Sequence, residues 1–142
     1  MIYNFLFPEK LNDSKISLFL LAIRVLFGLL LVNHGLQKWN AFEQMAPVFP
    51  DPLGVGSSVS LTLAIFGELI CSIAFIFGFL YRLSMIPMII TMSVAFFMIH
   101  TNDAFAVKEM AFIYLAVFIL MYIVGPGKFA VDELLIKFLK KK

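Results

Sequence analysis

The sequence predicts an all-α membrane protein: an antiparallel four-transmembrane-helix bundle followed by a C-terminal amphipathic surface helix. Three observations carry this reading. The chain is 62% hydrophobic and only 14% charged, whereas soluble domains run at about 45–50% apolar and about 25% charged. Its mean hydropathy is +0.99. Four apolar stretches, residues 17–36, 58–80, 83–100 and 110–124, approach the roughly 20 residues that cross a bilayer as a helix. Backbone groups in lipid must bond within the segment, which makes these helices, and the alternating pattern of a membrane β-barrel is absent. The length of 142 residues suits one domain over the whole chain, 1–142.

Residues 1–16 mix charges of both signs with Pro8, and no small-residue cleavage site follows the first apolar run. The first span therefore reads as a retained anchor rather than a cleaved signal peptide. One face of that span carries Arg24, Gly28, Leu31, Gly35 and Lys38. At about 100° per residue His34 falls within roughly a quarter-turn of it. The loop after it holds Pro47, Pro50, Pro52, Gly54 and Gly56, which oppose a regular helix. Its Trp39, Phe42 and Phe49 suit the aromatic belt of a membrane interface, so the loop is expected at the interface rather than as a lid.

The second span carries a stripe of small residues, Ser60, Ala64, Gly67, Cys71, Ala74 and Gly78. Spacing of three and four keeps the stripe on one helix face, and small residues let membrane helices approach closely. Glu68 lies beside the stripe and is expected to point into the bundle. A tight turn around Tyr81-Arg82 makes spans two and three antiparallel neighbours. Pro87 near the start of span three kinks it or sits in its first turn. Met85, Met88, Met92 and Met98 read as adaptable core filler. Residues 104–106 extend the short fourth span. Gly125-Pro126-Gly127 then stops it, and residues 128–142 form a lysine-bearing amphipathic helix suited to an anionic membrane surface.

Lys and Arg set the orientation. Lys10, Lys15, Arg82, Lys128, Lys137, Lys140, Lys141 and Lys142 fall on one side, and only Lys38 and Lys108 on the other. Both termini are expected in the cytoplasm, in the inner (plasma) membrane of a bacterium. The single cysteine, Cys71, excludes dithiol chemistry and a disulfide within the chain. It reads as a small residue at a helix contact. No phosphate-binding loop, no Ser-His-Asp arrangement, no nucleic-acid-binding pattern and no haem-attachment motif is present.

Two ionisable clusters remain. Arg24 lies roughly 10 Å, and Glu68 roughly 18 Å, from the cytoplasmic side at 1.5 Å per residue. A pair between them is expected, since each lowers the other's burial cost, and it reads equally as a helix lock or as a charged pocket wall. Nearer the outside lie His34, Lys38, His100 and Glu109, with Asp103 beside them. These suit hydrogen bonding and proton transfer to a ligand near the membrane surface, and equally two interfacial histidines bound to water. No metal site is expected, because neither HExxH nor a cysteine pair is there. Haem held by His34 and His100 requires both rings to point inward at similar depth. The outer group is the better functional bet, with Arg24 and Glu68 as the floor of its pocket.

In order along the chain, Arg24 and Gly28, His34-Gly35 followed by Lys38, Gly67-Glu68, the Gly78…Tyr81-Arg82 turn, Glu109, and Gly125-Pro126-Gly127 followed by Asp132 resemble the DoxX family of small four-span membrane proteins. The resemblance covers about residues 17–136. Ala130 departs from it, since related chains often carry Ser ahead of the Asp, and this weakens a helix cap. The family is named for a subunit linked to thiosulfate:quinone oxidoreductase, and other members are associated with oxidative-stress complexes at the membrane. The resemblance therefore implies an accessory or ligand-binding subunit of a quinone-linked redox system, with Arg24, His34, Lys38, Glu68 and Glu109 as the positions to watch. In that picture His34 and Lys38 bond the oxygens of a quinone, while Glu68 with Arg24 tunes charge and relays protons. A carrier or channel for protons or a small solute, and a non-catalytic scaffold, are the alternatives. Whether the chain is an enzyme stays open. The partners in view are membrane lipids, redox partner subunits and a second copy of the chain; nucleic acid is not among them.

Overall fold

Helix α1 runs Asp13–Asn40. It starts where the Asn12 side chain accepts from the Lys15 backbone N–H at 2.8 Å, satisfying a donor left orphaned at a helix start. A single helical turn, α2 (Phe42–Met45), and a loop over residues 46–56 lead to α3 (Ser57–Phe77). Then follow α4 (Tyr81–Ile99), α5 (Phe105–Val124) and the short α6 (Val131–Leu139). The structure, a computed structural model, describes residues 12–140. Lys10, Lys141 and Lys142, which enter the charge pattern, lie outside the described residues.

Four of these helices are long and apolar enough to cross a membrane. They pack in the cycle α1–α3–α4–α5. The cycle closes where Phe27 and His34 of α1 meet the Tyr114 ring of α5 edge-on, at ring distances of 5.9 and 6.1 Å. Met85, Met88 and Met92 fill the core with Phe75, Tyr81 and Phe118, whereas Met98 is exposed on the outer surface of the bundle. Cys71 is buried among these contacts.

The sequence locates the spans and misplaces some of their edges. α1 begins four residues earlier than residue 17, and α5 begins at Phe105 so that Lys108 and Glu109 lie within its first turns. The turn between α3 and α4 lies at Gly78–Leu80 rather than at Tyr81-Arg82, which open α4. Gly78 (φ +67°) and Leu80 (φ +45°) both adopt left-handed backbone. For leucine that conformation is costly and needs support from its surroundings. The support comes from Asp132 of α6, whose carboxylate accepts from the Leu80 and Tyr81 N–H groups at 2.9 and 2.8 Å. The Asp132 N–H in turn donates to the Gly78 carbonyl at 3.0 Å. Asp132 thus caps α4 rather than its own helix.

Pro87 lies inside α4, past its first turn. Its carbonyl accepts from the Thr91 hydroxyl at 2.8 Å. The small-residue stripe of α3 is also reassigned. A Cβ on Gly67 would meet Thr91 and the Pro87 carbonyl of α4, so this stripe faces α4. The close approach of α1 to α3 is made from the α1 side. Gly28 faces Ile76 and Gly35 faces the backbone of Leu69 and Glu68.

Candidate functional site

The α1–α3 register decides which charges meet. With Gly28 opposite Ile76 and Gly35 opposite Leu69, Glu68 lies beside the C-terminal part of α1, and Arg24 lies beside the C-terminal end of α3. The expected Arg24–Glu68 pair does not form. The two are separated by about two turns of α3, roughly 12 Å. Instead the Lys38 ammonium donates to Glu68 Oε2 at 2.5 Å. The Glu68 side chain is 6% exposed and that of Lys38 is 22% exposed. Burying a carboxylate that deep without such a partner is costly.

Arg24 is 1% exposed and binds carbonyls. Its Nε and Nη2 donate to Ile76 O at 3.3 and 3.0 Å, its Nη1 to Pro126 O at 2.7 Å, and its Nη2 also to Phe129 O at 2.8 Å. Ile76 sits in the last turn of α3, where carbonyls lack helical partners and the helix dipole is negative. Arg24 therefore ties α1 to the end of α3 and to the α5–α6 connection. Gly78 is required next to it, since a Cβ there would lie 2.6 Å from the Ala130 Cβ and 3.2 Å from Arg24 Cζ.

A cavity of about 520 Å³ opens between α3 and α4, toward the start of α3 and the end of α4. Its charged and titratable lining is Lys38, Glu68 and His100, and most of the rest is apolar. Phe49, Pro50, Pro52 and Leu53 line it as well. The loop over residues 46–56 thus forms one wall of the cavity, where the sequence suggests an interfacial segment. Both helices carry a π-helical turn at this level, Phe66–Ile70 in α3 and Ala95–Ile99 in α4. Such turns insert one residue and re-aim the side chains beyond it, and they concentrate at functional sites. One turn carries Glu68. The other ends in the His100 N–H to Ala95 O bond of 3.0 Å, which sets His100 at the rim.

The cavity's free hydrogen-bonding capacity is small and directed. Lys38 has three ammonium donors and uses one on Glu68. The Glu68 Oε1 has no partner among the described residues. His100 Nδ1 contacts Asp103 Oδ2 at 2.7 Å, so Nε2 remains to accept or, when protonated, to donate. The Ser60 and Thr91 hydroxyls spend their protons on Asp51 Oδ1 and the Pro87 carbonyl.

The outer group of the sequence reading is split. Lys38 and His100 line the cavity and are joined by Glu68 from the inner pair. His34 faces Tyr114 edge-on instead and is absent from the cavity lining. The two histidines thus have different neighbours, which does not suit axial ligation of a shared haem. Glu109 is exposed and makes no ion pair among the described residues. Tyr114, which sequence reasoning missed, is buried and within electrostatic reach of Glu68. Its only signal was a polar tip in an apolar span, which Tyr122 shares.

Asp51 was also missed. It accepts from the Val55 and Gly56 N–H groups at 3.0 and 2.7 Å and from the Ser60 hydroxyl at 2.7 Å, latching the loop to the start of α3. The Ser60 hydroxyl first, and the Gly56 N–H next, hold the Asp51 carboxyl below the usual carboxylate range. A depressed folded-state pKa gives stabilisation that is fully present above the unfolded value of about 4 and is lost as pH falls through the folded value. A nitroxide at Val48, in a Cys71→Ser background, should be equally immobile at neutral and mildly acidic pH. It should become mobile only below roughly pH 4. Asp51→Asn should be mobile throughout, and unchanged mobility in that variant would remove the latch.

A family model for DoxX matches residues 19–101 of the chain. A Haemophilus influenzae protein, named only as an uncharacterized protein, is 29% identical over 136 residues, which cover 90% of each chain. No solved structure matches. The family match spans more than half of the chain, from α1 through α4, and takes in Arg24, Lys38, Glu68 and His100, so the chain belongs to the DoxX family.

Proposed function

We propose that the protein binds a lipophilic carbonyl compound of the quinone class in the α3–α4 cavity and serves as a ligand-binding subunit of a membrane redox system. One observation carries the reading. The cavity is mostly apolar, its charged and titratable groups are the Lys38–Glu68 pair and His100, and its Ser60 and Thr91 hydroxyls spend their protons on Asp51 and the Pro87 carbonyl. That is the polarity of a ring with two oxygens on a hydrocarbon body, and about 520 Å³ is in the usual range for small-ligand sites. When bound, such a ring supplies two-electron, two-proton chemistry. The chain's own residues supply the setting. Lys38 donates to a carbonyl oxygen, Glu68 holds the ammonium charged and in place, and His100 exchanges protons with outer water through Nε2. Electrons come from partner subunits of the membrane complex.

Exposed apolar residues at the cavity margin, Leu63, Phe66 and Ile90, let a ligand arrive from lipid. Leu31, Phe75, Met88 and Phe118 close the core of the bundle, which favours binding over conduction. The Lys and Arg pattern supports an inner-membrane location with both termini in the cytoplasm, so that the cavity lies near the outer leaflet.

In nanodiscs, a short-tailed benzoquinone should show saturable binding beyond its partition into empty discs. Lys38→Met should weaken it at least about tenfold, the scale of one lost charge-assisted hydrogen bond. Absence of saturable binding would remove the proposal.

A further inference from the structure

We infer that the ligand carries a long hydrocarbon tail and that the groove between α3 and α4 below the cavity holds it. The inference rests on the quinone-class reading and goes beyond it, since that reading concerns only the polar head. A second cavity of about 410 Å³ runs along α3 and α4 toward the Gly78–Leu80 turn. It shares Phe66 and Pro87 with the first, so the two adjoin at these residues. The direction is also right. Glu68, with Lys38 bonded to it, lies between Phe66 and Ile70 on α3, and a Cβ on the adjoining Gly67 would meet Thr91 and the Pro87 carbonyl, so a head held by this pair has the groove directly beside it. Beyond Phe66 and Pro87 the groove continues past Ile70 and Ile86 to Ala74 and Leu83.

The chemistry of the groove changes completely along this path. Its two groups with any polarity are the Cys71 thiol and the Ser84 hydroxyl, and Ser84 donates to Tyr81 O at 2.9 Å. Nothing there pairs with a polar head or binds water, while an alkyl or prenyl chain fills it. From Phe66 to Ala74 the groove descends roughly 12 Å along α3. Ala74 keeps it open on the α3 side, and Pro87 keeps a polar N–H away from the junction. The lipid-facing margin, with Ile70, Leu83 and Ile86 exposed, admits a tail sideways while its head docks above.

Cys71, the one cysteine of the chain, lies buried in the groove wall, so in a Cys71→Ser background a cysteine at the exposed Leu83 on the groove lip reports occupancy. Two probes with the same dimethoxy-methyl-benzoquinone head, one bare and one with a decyl tail, separate head from tail. In nanodiscs, after correction for partition into empty discs, the decyl compound should bind at least about fivefold more tightly, a gain from packing the tail against the groove side chains, since its transfer out of water is already contained in the partition. Ala74→Phe should reduce that advantage to less than about twofold while leaving the bare head's affinity in place. Leu83→Trp, on the exposed lip, does the same if Ala74→Phe fails to fold. The decyl probe, and not the bare head, should also slow alkylation of the Leu83→Cys thiol by N-ethylmaleimide. Equal affinities for the two probes, or a decyl advantage and a Leu83→Cys reactivity untouched by groove filling and by the tail, would overturn the tail site and leave the head site standing. Binding of neither probe would remove both.

Discussion

Arg24→Met should lower the melting temperature of the detergent-solubilised protein by about 10 °C or more, through loss of roughly 3 kcal/mol. The guanidinium makes four hydrogen bonds to the carbonyls of Ile76, Pro126 and Phe129. Methionine leaves all three without this partner, and a buried unsatisfied carbonyl costs about 1–3 kcal/mol. Relief of guanidinium desolvation offsets part of that. Arg24→Lys keeps the charge at the α3 terminus but not the planar fork, so it should recover only part of the loss. The α5–α6 connection should loosen first, because Pro126 and Phe129 lose their tie to α1. Ligand binding at the cavity, two helical turns away along α3, should change far less than stability. Wild-type melting in Arg24→Met would mean that the three carbonyls are satisfied without the guanidinium.

The second large effect separates structure from binding at Lys38 and Glu68. Lys38→Met leaves the Glu68 carboxylate buried and unpaired, a change worth about 3–5 kcal/mol when the group stays charged and less when it takes up a proton. Glu68→Gln leaves an ammonium that is 22% exposed and can still reach water, so it should cost less. In the double variant Lys38→Met/Glu68→Gln no charge is stranded. Its loss of stability should fall short of the sum of the single losses by about 1–3 kcal/mol, measured as a double-mutant cycle by thermal unfolding. Quinone binding should fall in all three variants and should not return in the double. A double variant that regains both stability and binding would make the pair a helix lock only.

Much of this arrangement is legible in the residues. The four spans follow from hydropathy. The burial of Arg24 and Glu68 follows from the price of a charge in lipid, and the tight α1–α3 contact from Gly28 and Gly35. The partners of the buried charges are not legible in the same way. Arg24 binds main-chain carbonyls, and any residue supplies a carbonyl, so no residue type announces the contact. Depth counted from the end of an apolar run also misleads. α1 extends about 16 Å beyond Arg24 toward its start, and the α5–α6 connection packs there, with the Lys128 N–H donating to the Ser17 hydroxyl at 3.1 Å. Register is fixed by where Gly35 meets the backbone of Leu69 and Glu68, which brings Lys38 rather than Arg24 to the carboxylate.

Two further features arise only in the folded chain. Asp132 lies in the first turn of α6, yet it caps α4 across the turn. The π-helical turns at Phe66–Ile70 and Ala95–Ile99 have no Pro or charge pattern to mark them, and they are what turns Glu68 and His100 toward one cavity. The sequence therefore names Lys38, Glu68 and His100 as candidates but groups them with His34 and Glu109, which the fold sends elsewhere.

The most direct test is the composition of the lipid that travels with the protein. The chain, extracted from a quinone-containing membrane into native nanodiscs, should carry a tailed quinone enriched over the surrounding bilayer and approaching one per chain by mass spectrometry of the organic extract. The same preparation of a cavity-filled variant, Ala95→Trp, should show only the bilayer's own ratio of quinone to lipid. An equal, unenriched ratio in both preparations would contradict the account.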